Sequence, residues 1–271
     1  MSDEYRDWGK LNPNANTEPL QNDFQGDYQG YQNNYGNTNS GTFSNGVSGI
    51  LNEASEALKQ KVVAQSFIFM VVALAVTWVG AKIATDVLKS WFETNPTYLI
   101  ILFVAEIAIV LISNVALKKN NVILSACLLT AYSFINGAML GIVCSVYTEA
   151  SVMKVILITG VTFAVTALYG LVCKKDLSSL GSLFLMGLIG LIVLGLVNFF
   201  MKSQAIDYLA SLIGVAVFVG LTAYDTQKIK KQIAYADSNN VTALSLNGAF
   251  ELYLDFINLF LYLLKIFGKR R

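Results

Sequence analysis

Seven apolar stretches recur between Val62 and Phe267, each about 20 to 25 residues long and so able to cross the roughly 30 Å hydrocarbon core of a bilayer as a helix. They run from Val62 to Ala81, Tyr98 to Leu117, Val122 to Val146, Val152 to Cys173, Leu180 to Phe200, Ile206 to Asp225 and Leu244 to Phe267. In hydrocarbon every backbone N–H and C=O must find a partner within the protein, so segments of this length fold as helices. The expected class is therefore an all-α integral membrane protein. Asp, Glu, Lys and Arg make up only 14% of the chain, against roughly 25% in soluble domains. A net charge of +1 supplies no concentrated basic face, which argues against nucleic acid as a partner and leaves the lipid bilayer as the first one.

The seventh stretch, LSLNGAFELYLDFINLFLYLLKIF, carries Glu251 and Asp255 in its body. An ionised carboxylate at the centre of a membrane helix costs roughly 2.5 to 3.5 kcal/mol, so both acids need partners or protons inside the protein. Glu251, Asp255, Asn258 and Tyr262 recur at helical spacing along one stripe, with Leu, Ile and Phe covering the remainder. Such a helix is expected to be surrounded by the other six. Gly137 and Gly141 in the third stretch, and Gly187, Gly190 and Gly195 in the fifth, are expected to allow close helix contact.

Residues 1–49 are of another kind, rich in Asn, Gln, Gly and Tyr and poor in aliphatic side chains, and are expected to be a disordered tail. Residues 50–271 form the membrane domain, with ILNEASEALKQK either lying at the interface or extending the first membrane helix. Lys59 and Lys61, Lys118 and Lys119, Lys174 and Lys175, and Lys228, Lys230 and Lys231 fall on one side of such a bundle. The positive-inside rule makes that side, and the N-terminus with it, cytosolic. Lys269, Arg270 and Arg271 break the pattern if the seventh stretch crosses fully: either it is re-entrant or packing overrides charge.

The chain has no histidine, which removes Ser/His and Cys/His nucleophile pairs, His-ligated zinc and the common haem ligands. Cys127, Cys144 and Cys173 match no metal or redox spacing and are expected to be small core residues. No tightly bound cofactor and no enzymatic activity is expected. What remains is carboxylate chemistry. Asp225 sits at the inner end of the sixth stretch, in LTAYDTQKIK, and Asp255 in the inner or middle part of the seventh. These helices run antiparallel, so the two acids fall at comparable depth. Two carboxylates in a low-dielectric site cannot both ionise cheaply, and the pair should share a proton or bind a cation. With Tyr224, Asn258, carbonyls and water they would give calcium a loose, incomplete shell, suited to a passing ion or a weak ligand. Protons need fewer ligands and are the other candidate. Glu106 is a further intramembrane acid and a possible second station on an ion path.

AYDTQ with its Lys-rich turn, LYLDFINLFLYLL, KKDLSSLGSLF and the Asn in GLVNFF resemble the Bax inhibitor family, the transmembrane Bax inhibitor motif proteins, in their bacterial form. The resemblance covers about Leu58 to Gly268. It implies seven transmembrane helices in two three-helix layers around a central C-terminal helix, acting as a pH-sensitive calcium leak channel in the bacterial cell membrane. By position Asp225 and Asp255 match the family's di-aspartate pH sensor and gate, and Glu106 its acid in the second helix. Bacterial members also place an Arg latch at the end of that helix. This chain has Leu117 there, with Lys118 and Lys119 beside it as substitutes that lack Arg's bidentate fork. Glu251 falls where relatives often carry a small residue, and adds negative charge beside Asp255.

A second function from another class is a non-conducting membrane adaptor, whose tail and loops bind membrane or cytosolic proteins such as proteases or cell-death and stress proteins. A third, an intramembrane aspartyl hydrolase, lacks the Gly-Leu-Gly-Asp context beside its second acid.

Overall fold

The structure, a computed structural model, describes residues 40–87, 101–102, 104–110, 112, 121–232 and 241–271. Helix α1 spans Ser40–Asp86, α2 residues 104–110, α3 Val122–Ser145, α4 Glu149–Val172, α5 Gly181–Met201, α6 Gln204–Gln232 and α7 Val241–Phe267, with a single 3-10 turn at Ser178–Leu180 before α5. Residues 52–271 form one compact unit; residues 40–51 belong to another, of which the described part is helical backbone. Of the expected tail, residues 1–39 lie outside the described residues and 40–49 open α1, which runs on without a break through ILNEASEALKQK.

Local chemistry sets the helix ends. Asn121 caps α3 by accepting the Leu124 N–H at 3.0 Å. At the end of α5 Lys202 adopts the left-handed conformation (φ 51°), and its N–H returns to the Asn198 carbonyl. Short links of this kind, here only Lys202 and Ser203 between α5 and α6, force consecutive helices to lie antiparallel.

Helix α7 is the best covered of these helices. It packs on α3, α4 and α6, and it reaches α1 through Ser245 and Gln65 (3.1 Å) and through Tyr253 and Thr77 (2.7 Å). Leu252, Tyr253 and Leu259 are wholly buried. In α5, by contrast, only Leu191 is buried. Exposed Ile68, Trp78, Leu157, Val165, Leu185, Ile192 and Phe200 give the helices a bare apolar outer surface that a soluble protein would not tolerate.

Among the described residues five helices are long and apolar enough to cross a membrane: residues Ser55–Asp86 of α1, α3, α4, Ser178–Met201 around α5, and α6. Half of the expected second crossing, Tyr98 to Leu117, falls outside the described residues. Helix α7 has the length, but Asn247, Glu251, Asp255 and Asn258 lower its hydropathy, and neighbouring helices supply the cover that lipid cannot. It runs the full length of the bundle. Its end is pinned to the α3–α4 connection, where the Thr148 N–H reaches the Lys269 carbonyl and the Arg271 N–H the Val146 carbonyl, both at 2.9 Å. The α4–α5 connection lies at the other end, beside Gln227 and Lys231 of α6. The seventh stretch is one unbroken helix from Val241 to Phe267, and the residues after it are held by the α3–α4 connection.

Gly137 and Gly141 make the expected close contact. A Cβ on either would lie 2.2 Å from the Thr77 carbonyl oxygen or 2.6 Å from that of Ala81, so α1 and α3 meet backbone to backbone. In α5 the expectation holds for Gly187, where a Cβ would lie 2.9 Å from the Val217 side chain of α6, and fails for Gly190 and Gly195, where it would meet nothing within 4 Å. The cysteines also depart from expectation: Cys127 is exposed and Cys144 and Cys173 are half-buried, because they lie toward the outer faces and ends of their helices.

Candidate functional site

Helix α6 does not stop at Asp225. Its polar end, TQKIKKQ, stays helical to Gln232 because these side chains have partners, which places Asp225 about 10 Å inside the helix end. Gln227 clasps the α4–α5 connection: its amide donates to the Lys175 carbonyl at 2.8 Å and the Cys173 carbonyl at 3.2 Å, and its oxygen accepts the Leu177 N–H at 2.8 Å. Lys230 donates to the Leu171 carbonyl at 3.0 Å. Lys231 pairs with Asp176, and this ammonium, together with the Ser178 N–H, holds the Asp176 carboxyl well below the usual carboxylate range. A depressed carboxylate contributes stability above its unfolded value and loses it as pH falls through the folded one, so this contact is intact at neutral pH and weakens only in strong acid.

Gln227→Leu would leave the buried Leu177 N–H without a partner, a loss of about 1 to 3 kcal/mol. Limited trypsin digestion is expected to cut faster at Lys174 and Lys175 in that variant; unchanged cleavage would show that the clasp does not hold the connection.

The two aspartates meet inside the protein. Asp225 on α6 is 9% exposed and Asp255 on α7 is 4% exposed, and their carboxyls lie within hydrogen-bonding reach of each other. Because the helices are antiparallel, one turn on from Asp225 and one turn back from Asp255 lead to the same level. There Lys228 donates to Glu251 Oε1 at 2.6 Å, with its ammonium 3.8 Å from Asp225 Oδ1. The result is two layers: a buried acid pair, and an ion pair between it and the near end of the bundle. Asp255 Oδ2 and Glu251 Oε2 are buried without a hydrogen-bond partner. Three carboxyl groups around one ammonium leave acceptor capacity that a proton or a passing cation can fill.

Lys228 is the residue that sequence reasoning missed as part of this site. Its signal was present as the Asp-x-x-Lys spacing of YDTQK, one helical turn. Glu251 accordingly does not stand as bare charge beside Asp255, since Lys228 offsets it. Among the described residues no group of three or more His, Cys, Asp or Glu side chains converges on a point that could hold a metal ion. Calcium prefers six to eight oxygens, more than the unpartnered carboxyl oxygens of this cluster supply by themselves.

Other expected residues lie apart from this cluster. Glu106 accepts from the Asn136 amide at 3.3 Å; Asn136 accepts from the Tyr253 hydroxyl at 3.3 Å, and Tyr253 bonds Thr77 at 2.7 Å. Tyr253, two residues before Asp255, projects from the far side of α7, so Glu106 belongs to a separate polar network. The Asn258 amide donates to the Leu254 carbonyl of its own helix at 2.8 Å. Tyr224 turns toward α5, where it packs on Phe184 and beneath Gly181. Tyr262 stacks on Phe218 over Gly214. Lys118 and Lys119 lie outside the described residues.

Residues 59–271 match the family model described as inhibitor of apoptosis-promoting Bax1. The inner membrane protein YbhL of Escherichia coli is 42% identical over 219 residues, which cover 78% of this chain and 93% of that protein. A Rickettsia prowazekii protein is 39% identical over 207 residues, covering 75% and 87% of the two chains. A Borreliella burgdorferi protein is 34% identical over 218 residues, covering 79% and 94%.

Proposed function

Because this chain belongs to the Bax inhibitor family, as a multi-pass membrane protein of the bacterial type, we propose that it is a pH-sensitive calcium leak channel gated by protonation of Asp225 and Asp255. The observation that carries this reading is the pair itself: two aspartates from antiparallel helices, buried together, with Asp255 Oδ2 left unpartnered. A site of this kind answers to protons because a shared proton relieves the repulsion between the two carboxyls. It answers to cations for the same reason.

In this reading α7 is the central helix between two three-helix layers. The end of the bundle that carries Lys174, Lys175, Lys228, Lys230 and Lys231 faces the cytosol, and the N-terminus lies on that side. Lys228, held by Glu251, acts as the latch across the acid pair that the second helix supplies in relatives with an Arg. Calcium passes as cargo, weakly held by the aspartates when the latch moves aside.

Purified full-length chain in vesicles loaded with a calcium indicator tests the proposal. Calcium flux that changes between acidic and neutral pH is expected, and vesicles no leakier than protein-free ones would overturn it. Lys228→Gln is expected to raise the resting leak at neutral pH several-fold, and Lys228→Arg to leave it near wild type. Equal leaks in all three proteins would remove Lys228 from the gate.

A further inference from the structure

At the end of the bundle away from the acid pair, a crevice of about 250 Å³ opens between α5, α6 and α7. Leu191, Leu194 and Phe199 of α5 make its apolar walls. Its rim is polar, and all of it comes from helix ends: Asn198 from the last turn of α5, Asp207 from the first turn of α6, Lys265 from the last turn of α7. Helix ends mark the level at which hydrocarbon gives way to headgroups.

The rim holds more donors than acceptors. Lys265 has three N–H hydrogens and gives one to Asp207 Oδ1 at 2.8 Å, which leaves Asp207 Oδ2 as the remaining carboxylate acceptor against two further Lys265 hydrogens. The Asn198 oxygen already accepts the Ser203 N–H at 2.9 Å, and its amide hydrogens have no protein partner among the described residues. The Tyr262 hydroxyl, also on the lining, has none either. Exposed Lys202 stands next to this end of α5. An anionic, acceptor-rich group satisfies such a rim, and an acyl chain satisfies the walls, which continue into the bare outer face of α5.

From this amphipathic lining we propose that the crevice binds the phosphate of an anionic glycerophospholipid, with Lys265, Tyr262 and Asn198 on the headgroup and a chain along α5. The site is separate from the acid pair and does not depend on calcium conduction.

Gly195 supplies the test, because a Cβ there would meet nothing within 4 Å and a larger side chain grows into the crevice. Full-length protein in mild detergent is mixed with phosphatidylglycerol, with diacylglycerol, or with glycerophosphate, and retained molecules are counted by native mass spectrometry. One phosphatidylglycerol per wild-type chain is expected, with retention at least about tenfold weaker in Gly195→Phe and weaker in Lys265→Gln. Retention of diacylglycerol equal to that of phosphatidylglycerol overturns recognition of the phosphate. Retention of glycerophosphate as strong as that of the lipid overturns the lipid as its source. Should Gly195→Phe melt below wild type, Lys265→Gln decides, and full retention in it overturns the proposal.

Discussion

Calcium flux through Asp225→Asn or Asp255→Asn vesicles is expected to be the same at acidic and neutral pH, while wild-type flux changes across that range. The substitution keeps the shape of each side chain and its ability to hydrogen-bond, but removes the proton that the pair exchanges. In the proposed sensor the two carboxyls share a proton, so either change alone should abolish the response rather than halve it. Glu106→Gln is the control: Glu106 bonds Asn136 in a network on the far side of α7 and should keep the pH response. A pH response that survives in both Asp variants would rule out the pair as sensor.

Gly137→Leu is expected to be strongly destabilising. Its Cβ would lie 2.2 Å from the Thr77 carbonyl oxygen and 2.9 Å from the Thr77 Cα. Overpacked cores usually lose about 1 to 3 kcal/mol by shifting side chains. Here the obstacle is backbone, and Thr77 is also the residue that bonds Tyr253 of α7, so α1 cannot step back without breaking that contact. The loss should reach at least about 3 kcal/mol, seen as a lower melting temperature in detergent and a poor yield of monodisperse protein. Gly190→Leu, which grows into open space, should change neither. Equal melting temperatures for the two variants would disprove the close contact.

Helix content and membrane crossing were legible because apolar length is a local property of the sequence. So was the meeting of Asp225 and Asp255, since two antiparallel neighbours joined by a short connection fix relative depth. Depth within the helix was not, because the continuation of α6 past Asp225 depends on Gln227 and Lys231 finding the α4–α5 connection, about 50 residues away. Glycines show the same divide. GAMLG and GSLFLMGLIGLIVLG look alike as strings, yet both glycines of the first meet another helix's backbone, while in the second Gly181 and Gly187 meet α6 side chains and Gly190 and Gly195 meet nothing, and that is decided by where each helix sits in the bundle. Lys228 was read for its charge on a loop when its reach, one turn from Asp225 and across to Glu251, was the informative property.

The polarity of α7 also bears on how the protein is made. A nascent segment partitions into lipid according to its own side chains, and Asn247, Glu251, Asp255 and Asn258 make this one a poor entrant on its own. Its partners Thr77, Asn136 and Lys228 belong to helices that leave the ribosome before it. Helix α7 is therefore expected to dock among helices already resident in the bilayer rather than to enter lipid on its own. Mutations that weaken that cradle should lower the yield of folded protein in the membrane.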